Sequence, residues 1–414
     1  MSKEIVVVVD SIDVNDSSGS KANVALIKNL AAIGYRVTVC HYTQKNISLK
    51  DVNCIAIKEN RFSLLFVLSR TQRIIQRYLK INLAQYLEPI FGFSFTFFND
   101  TKSISQFLKK LKLKSDLVLT LSKAASFRPH YAVNKIPELH NKWLAYIHDP
   151  YPFSCYPQPY RFKEPGYKVK EVFFKKVTEN AEHVVFPSLL LKEWMGQFFN
   201  NCNKKGVIIP HQQFELSTEK IKLPNFLDIN KFNLLHAGGL LNARNPEGLL
   251  KGLLLFFQKF PEHRDEVQLI LIGNTTRFSN MLSAYHKEMP ELVVVDKTLP
   301  FNDVYAIQMM VSVNIILETI SNISPFLPGK FPHCVSANKK MMSLSPLKSE
   351  VRRLLGADYP YVAEIDDVTK IANIIEELYF LWKKNSDNLL LNREDLNYYL
   401  SGKYLKEVID NLNK

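Results

Sequence analysis

The second half of the chain repeats a single alternation: the apolar runs VQLILIG, ELVVVD, VSVNIILE, KMMSLS and YVAEI, each set apart from the next by a helical or looping stretch. Strands that are apolar on both faces must be covered on both faces, and the intervening helices supply that cover, so the pattern predicts an α/β domain with a parallel sheet. The first half opens the same way. IVVVVD is followed by a polar Ser/Gly loop, by a helix carrying Ala22, Ala25, Leu26, Leu30 and Ile33 at helical spacing, and by the strand YRVTVC. DLVLTLS from Asp116 and WLAYIHDPYPF from Trp143 read as further parallel strands that end in loops. A chain of 414 residues, 46% of them hydrophobic, can fill two sizeable cores. The expected division is a first Rossmann-like domain over 1–212, a polar linker over 213–230, a second Rossmann-like domain over 231–397, and a last helix over 398–414.

Two segments of the second domain have the chemistry of a phosphate cradle. NLLHAGGLLNARNPEGLLK, from Asn233 to Lys251, is a short apolar strand, a Gly238-Gly239 turn, a loop with Arg244, and a helix opened by Asn245 and Pro246. Two glycines allow backbone to approach a ligand closely, and the guanidinium after them offers a planar fork to phosphate oxygens. The second segment begins at Pro328-Gly329, with Lys330 expected in the first turn of a short helix that leads into the strand of Met341, Met342 and Leu344. Unpaired N–H groups at a helix start and a lysine charge suit an anion. Neither the G-x-G-x-x-G spacing of a dinucleotide fold nor the GK[ST] ending of a P-loop is present.

In their order and separation, these two segments resemble the retaining glycosyltransferases of the GT-B fold, in particular family 4 and its relatives in bacterial surface-polysaccharide synthesis. The resemblance covers most of the chain. It implies two Rossmann-like domains facing across a cleft, the last helix crossing back to the first domain, and transfer of a sugar from a nucleotide-diphosphate donor to a glycan or lipid-linked acceptor. Gly238, Gly239 and Arg244 match the family's diphosphate grip, and KFPHCVSANKK, from Lys330 to Lys340, aligns with its later K-x-x-E-type element. There His333 stands in place of the ribose-binding glutamate, Asn338 in place of a glycine and Lys340 in place of a proline. Glu318, ending VSVNIILE, takes the position of the first of the family's paired glutamates, while Phe326 occupies that of the second. The resemblance therefore assigns donor binding to Gly238, Gly239, Arg244, Gly273, Lys297, Gly329, Lys330 and His333. His148, Asp149 and Glu318 are the candidate catalytic residues, His148 and Asp149 falling at a strand's carboxyl end, where open α/β sheets bind ligands.

No D-x-D motif ends a strand, so no metal and no cofactor is expected, and Arg244 with Lys330 is assigned the neutralisation of the leaving diphosphate. The five cysteines are scattered without a C-x-x-C, which fits a reducing cytoplasm and not a zinc site. The formal charge is +13, and residues 61–114 hold ten Lys or Arg against only Glu88 and Asp100. The chain lacks a helix-turn-helix pairing, zinc-finger spacing or an RNP-like strand, so nucleic acid is not the expected partner. An anionic membrane surface is, with the protein cytoplasmic and peripheral on the inner face of the plasma membrane. Arg70, Arg73 and Arg77 share a helical face, and Phe91, Phe93, Phe95 and Phe97 alternate as a strand would. Two other readings remain: a non-catalytic relative that binds a nucleotide sugar or glycan, and, more weakly, a basic nucleic-acid-binding protein.

Overall fold

The computed structural model describes residues 3–111, 114–213, 223–240 and 243–412. Half of the expected linker, residues 214–222, and Leu241 and Asn242 of the loop before Arg244, lie outside these residues. Two compact units result: Met1–Tyr156 with Tyr160–Gln212 and Ser401–Lys414, and Gln213–Leu400 with Pro157–Pro159.

The first unit is built on β1 (Glu4–Val9), β2 (Arg36–His41), β3 (Asn53–Ala56), β4 (Leu117–Leu121), β5 (Trp143–Tyr146), β6 (His183–Phe186) and β7 (Gly206–Ile208). They form one sheet in the order β3-β2-β1-β4-β5-β6-β7, parallel throughout. Every residue of β4 and β5 is buried, as unbroken apolar runs require. Between β1 and β2 runs α1 (Ser18–Ala32), whose start is fixed by Ser17, its side chain accepting from the Ser20 amide.

The second unit carries β8 (Phe232–Ala237), β9 (Val267–Ile272), β10 (Leu292–Val295), β11 (Val313–Leu317), β12 (Ile323–Ser324), β13 (Met341–Leu344), β14 (Lys348–Ser349) and β15 (Val362–Ala363). The main sheet is ordered β10-β9-β8-β11-β13-β15, and β12 pairs with β14 apart from it. Each unit thus has the strand order of a doubly wound fold, reversing direction between β1 and β4 in one and between β8 and β11 in the other. Ligands of such sheets bind at these reversals, outside the carboxyl ends of the strands.

Three expectations are corrected. The phenylalanines of residues 91–97 do not form a strand: Phe91 ends α3 (Ala84–Phe91) and Phe95 begins α4 (Phe95–Leu111). Gly92 turns the chain at φ +79°, Ser94 Oγ accepts from the Phe97 amide, and Phe93 stacks on Phe97 at 4.1 Å as part of the core. The last helix is two helices, Glu394–Tyr399 and Gly402–Asn411, separated where Ser401 caps the second. The second belongs to the first unit, with Tyr35 donating to Asp410 at 2.7 Å and Lys3 Nζ to the Ile409 carbonyl at 3.2 Å. Lys330 is the cap residue before the helix Phe331–Ser336, not a member of its first turn.

Candidate functional site

In the second unit the loops after β8, β9 and β10 are tied side by side. The Leu240 amide donates to the Asn274 carbonyl at 2.8 Å, and the Thr275 amide to Asp296 at 2.7 Å. Gly273 is required twice over: its φ is +134°, and a Cβ there would stand 2.7 Å from the Gly238 carbonyl carbon. A Cβ on Gly238 would meet Lys330 Nζ at 2.9 Å, so this glycine makes room for the lysine head.

Lys330 Nζ lies 3.2 and 3.5 Å from the ring nitrogens of His236, the penultimate residue of β8. His236 is fully buried and held neutral, first by burial and then by Lys330 and Arg244. Arg244 Nη1 donates to the Gly239 carbonyl at 3.1 Å, and its Nε is buried without a partner. Burial and then the Arg244 charge bring the Lys330 ammonium down to about 7. Among the described residues neither cation has a carboxylate within ion-pair distance.

Glu318 follows β11, directly across the reversal from β8, and is 4% exposed. The Ser349 and Ser324 hydroxyls stand nearby, but neither carboxylate oxygen accepts a well-formed hydrogen bond. Burial pushes the acid up to about 7, against the weaker pull of the Ser349 and Ser324 hydroxyls and of Arg244. The reversal therefore gathers Gly238, Gly239, Gly273, Arg244, Lys330 and Glu318, together with His236, which the sequence reading did not single out.

Three donor-side candidates remain. Lys297 is exposed in the loop after β10, its amide donating to the Val295 carbonyl. Gly329 is exposed, and a Cβ there would meet open space. His333 is buried edge-on to Phe301, with ring centroids 4.7 Å apart. The departures at 338 and 340 have structural reasons. Asn338 adopts φ +51°, the left-handed region that asparagine tolerates best after glycine, and Lys340 donates its amide to the Leu389 carbonyl at 2.7 Å, a bond proline cannot make.

In the first unit His148 and Asp149 follow β5. His148 is 7% exposed, its Nε2 lies 2.6 Å from Asn23 Oδ1 on α1, and its amide donates to Ser122 Oγ at 3.0 Å. Its ring stacks on His211 at 5.3 Å. Burial, then the neighbouring His211 and His130, holds His148 well below the usual histidine range. Asp149 is half-buried, and desolvation pushes its carboxyl up to about 6.

A cavity of about 380 Å³ lies at the carboxyl ends of β1 and β4, at this unit's own reversal. Its lining includes Asp10, Asp13, Asp16, Lys45, Lys123 and Arg128. The three cations are already engaged: Lys45 with Asp13 at 2.6 Å, Lys123 with Asp16 at 2.5 Å, and Arg128 with Asp100 at 2.9 Å. Asp10, 8% exposed, accepts from Ser126 through Oδ2, and its Oδ1 has no partner. The sequence reading missed this cavity, although the aspartate closing IVVVVD was its visible signal.

No protein-family model matches the chain, and no curated protein matches it. Solved structures do. A trehalose-phosphate synthase from Burkholderia xenovorans, in complex with glucose-6-phosphate, is 8% identical and aligns over 99% of this chain and 100% of its own with a TM-score of 0.66. The Anabaena protein HepE, in complex with UDP-glucose, is 11% identical over 99% of both chains with a TM-score of 0.63. A glycosyltransferase from Rickettsia africae is 12% identical over 99% of both, at 0.58. The chain has the GT-B fold.

Proposed function

We propose that the protein is a glycosyltransferase that moves a sugar from a nucleotide-diphosphate donor to a glycan or lipid-linked acceptor. The observation that carries this reading is the pair Lys330 and Arg244, two cations at the β8–β11 reversal without a carboxylate partner among the described residues. Burial, and then the neighbouring Arg244 charge, depress the lysine, and a diphosphate is the ligand that would offset both. The same two groups would stabilise the charge that develops on the departing nucleoside diphosphate. Glu318, buried and unpaired, is suited to accept hydrogen bonds from hydroxyls of the bound sugar.

The first unit is assigned the acceptor, with the β1–β4 cavity as its seat. Its carboxylates and cations are already paired with one another, which favours a neutral sugar over a phosphorylated one. His148 and Asp149 are the candidate catalytic groups there. Retention of configuration and a role in bacterial surface polysaccharide follow from the resemblance to family 4 and its relatives, and Arg244 with Lys330 would act without a metal or cofactor. A cytoplasmic location fits the same reading; among the described residues no helix is long and apolar enough to cross a membrane.

A thermal-shift screen over UDP, GDP, ADP, TDP and CMP sugars tests the donor assignment. One nucleotide class should raise the unfolding midpoint, and Arg244→Ala should abolish that rise. The non-catalytic reading predicts the same shift with no hydrolysis of the donor. A protein that responds to none of these sugars but is retained by duplex DNA in a salt-dependent way would revert to the nucleic-acid reading.

A further inference from the structure

The helix α2 (Leu64–Leu79) is docked through a mixed face on which Leu65, Phe66, Leu68 and Ile75 are half-buried. Its only buried residues are Ser69 and Gln72. Ser69 Oγ lies 2.7 Å from Thr96 Oγ1 on α4. The apolar stripe of Leu64, Val67, Ile74 and Tyr78, spaced three and four residues apart or by multiples of a turn, faces solvent, with Leu64 and Tyr78 each 75% exposed. Leu79 continues it, Phe62 and Ile81 flank it, and α3 adds Tyr86, Ile90 and Phe91, all exposed. A helix that stabilises a water-soluble fold buries such a stripe. One that presents it over two successive helices has built a surface for something else to cover.

The charges around the stripe identify the cover. Arg61, Arg73, Arg77 and Lys80 are exposed beside it, the arginines of α2 lining one flank by helical spacing. Arg70 is held back by Glu59 at 3.2 Å. Glu88 is the only acid in residues 61–91, and it is half-buried and paired with Lys170 at 3.3 Å. An exposed apolar stripe edged by cations, with tyrosines among its members and no exposed acid, matches a helix lying in the plane of an anionic lipid surface. The sequence reading put the apolar part on Phe91, Phe93, Phe95 and Phe97, of which Phe93 and Phe97 are core, Phe95 is half-buried and only Phe91 is exposed. The structure moves it to α2 and α3.

We propose that α2 and α3 form an in-plane anchor for an anionic phospholipid surface, with Leu64, Val67, Ile74, Tyr78 and Ile90 at the boundary of headgroups and acyl chains and Arg73, Arg77 and Lys80 on lipid phosphates. The proposal goes beyond the sugar-transfer reading and stands whether or not that reading holds. Neither helix contains a residue assigned to the cavity or to the phosphate group.

Flotation of the full chain with phosphatidylcholine vesicles, with and without added phosphatidylglycerol, tests it. Wild-type protein should float with the mixed vesicles at low salt and be released as salt rises. Ile74→Glu with Tyr78→Glu should weaken binding at least tenfold. Arg73→Gln with Arg77→Gln should remove most of the preference for phosphatidylglycerol, at about fivefold per cation. All four positions are exposed, so the thermal unfolding midpoint should stay at the wild-type value and separates loss of docking from loss of fold. Wild-type protein that ignores both vesicle types, or floats equally well with Ile74→Glu and Tyr78→Glu in place, overturns the proposal. A dimer in sedimentation that those two substitutions dissolve would assign the stripe to a second copy of the chain and overturn it equally.

Discussion

Asn23 Oδ1 stands 2.6 Å from His148 Nε2, and the nitrogen of the same amide donates to the Ser122 carbonyl at 3.2 Å. The second bond fixes the first: with its nitrogen on a carbonyl, the amide must offer its oxygen to the ring, so Nε2 carries the proton and Nδ1 keeps a lone pair. Asn23→Ala removes the group that selects this tautomer and leaves a buried N–H unpaired, at a cost of roughly 1 to 3 kcal/mol. Turnover should fall much more than affinity for the nucleoside diphosphate, and His148→Ala should do the same. Nitrogen chemical shifts of the ring in wild-type protein report the tautomer directly. A proton on Nδ1 would refute this arrangement.

Lys330 should take up a proton when a diphosphate binds. Its folded value of about 7 reflects burial and the Arg244 charge, and an anion between the two cations raises it. Binding should therefore be accompanied by little proton uptake near pH 6 and by up to one proton near pH 8, with affinity declining as pH rises above 7. Calorimetry in PIPES and Tris, whose ionisation enthalpies differ, measures the uptake. Lys330→Arg should abolish it while preserving binding, whereas Lys330→Ala or Arg244→Ala should weaken binding on the order of tenfold or more, the loss of one charged hydrogen bond. Uptake that persists in Lys330→Arg assigns the proton elsewhere.

Glu318→Gln should stabilise the fold above neutral pH while reducing turnover. The folded value of about 7 lies above the ordinary glutamate value of 4.5, so its favourable contribution is complete below about 4.5 and is lost as pH rises through 7. An amide of the same shape avoids that loss, worth on the order of 1 to 3 kcal/mol. Denaturant unfolding at pH 5 and pH 8.5 compares the two: the variant's advantage should appear only at the higher pH. Full turnover in Glu318→Gln would remove the residue from the site.

Three buried histidines make the first unit sensitive to acid. Desolvation takes His130 down to about 3 and His211 to about 4, and His148 is well below its ordinary value. The unfolded chain binds protons below about 6.5 that the folded chain refuses, so the stability these groups share is whole above 6.5 and is lost as pH falls toward 4. Each contributes a slope of up to about 1.4 kcal/mol per pH unit. His211→Phe retains a ring against His148 without a titrating group, and its stability should fall less steeply between pH 6.5 and 4.5. An unchanged slope would show that His211 does not govern it.

The six strands of the second sheet and β1, β2, β4 and β5 of the first were legible because each is an apolar run bounded by polar or glycine residues, whereas β3, β6 and β7, only three or four residues long, were not read. The second unit's cation group was legible for a related reason, since Gly238, Gly239 and Arg244 are local in the chain and Lys330 follows a Pro-Gly turn. In the first unit His148 and Asp149 were legible at the end of a strand, but the polar residues around them were not. Asn23 meets His148 across 125 residues and Ser122 across 99, and on a helix that also carries Ser20, Lys21, Lys28 and Asn29 one more polar residue has no local signature. The period-two spacing of Phe91 to Phe97 misled for a different reason. Gly92 and Ser94 end one helix and cap the next between them, and the i,i+4 pair Phe93 and Phe97 meets only once those turns have formed.

Release of nucleoside diphosphate from a panel of UDP, GDP, ADP and TDP sugars, followed by chromatography with and without a neutral glycoside acceptor, tests sugar transfer most directly. The account predicts release from one donor class, acceleration by acceptor, and loss of at least tenfold in Lys330→Ala and Arg244→Ala with the fold intact. Release that is equal in wild-type protein and both variants, or absent with every donor while the matching nucleotide binds, would contradict it.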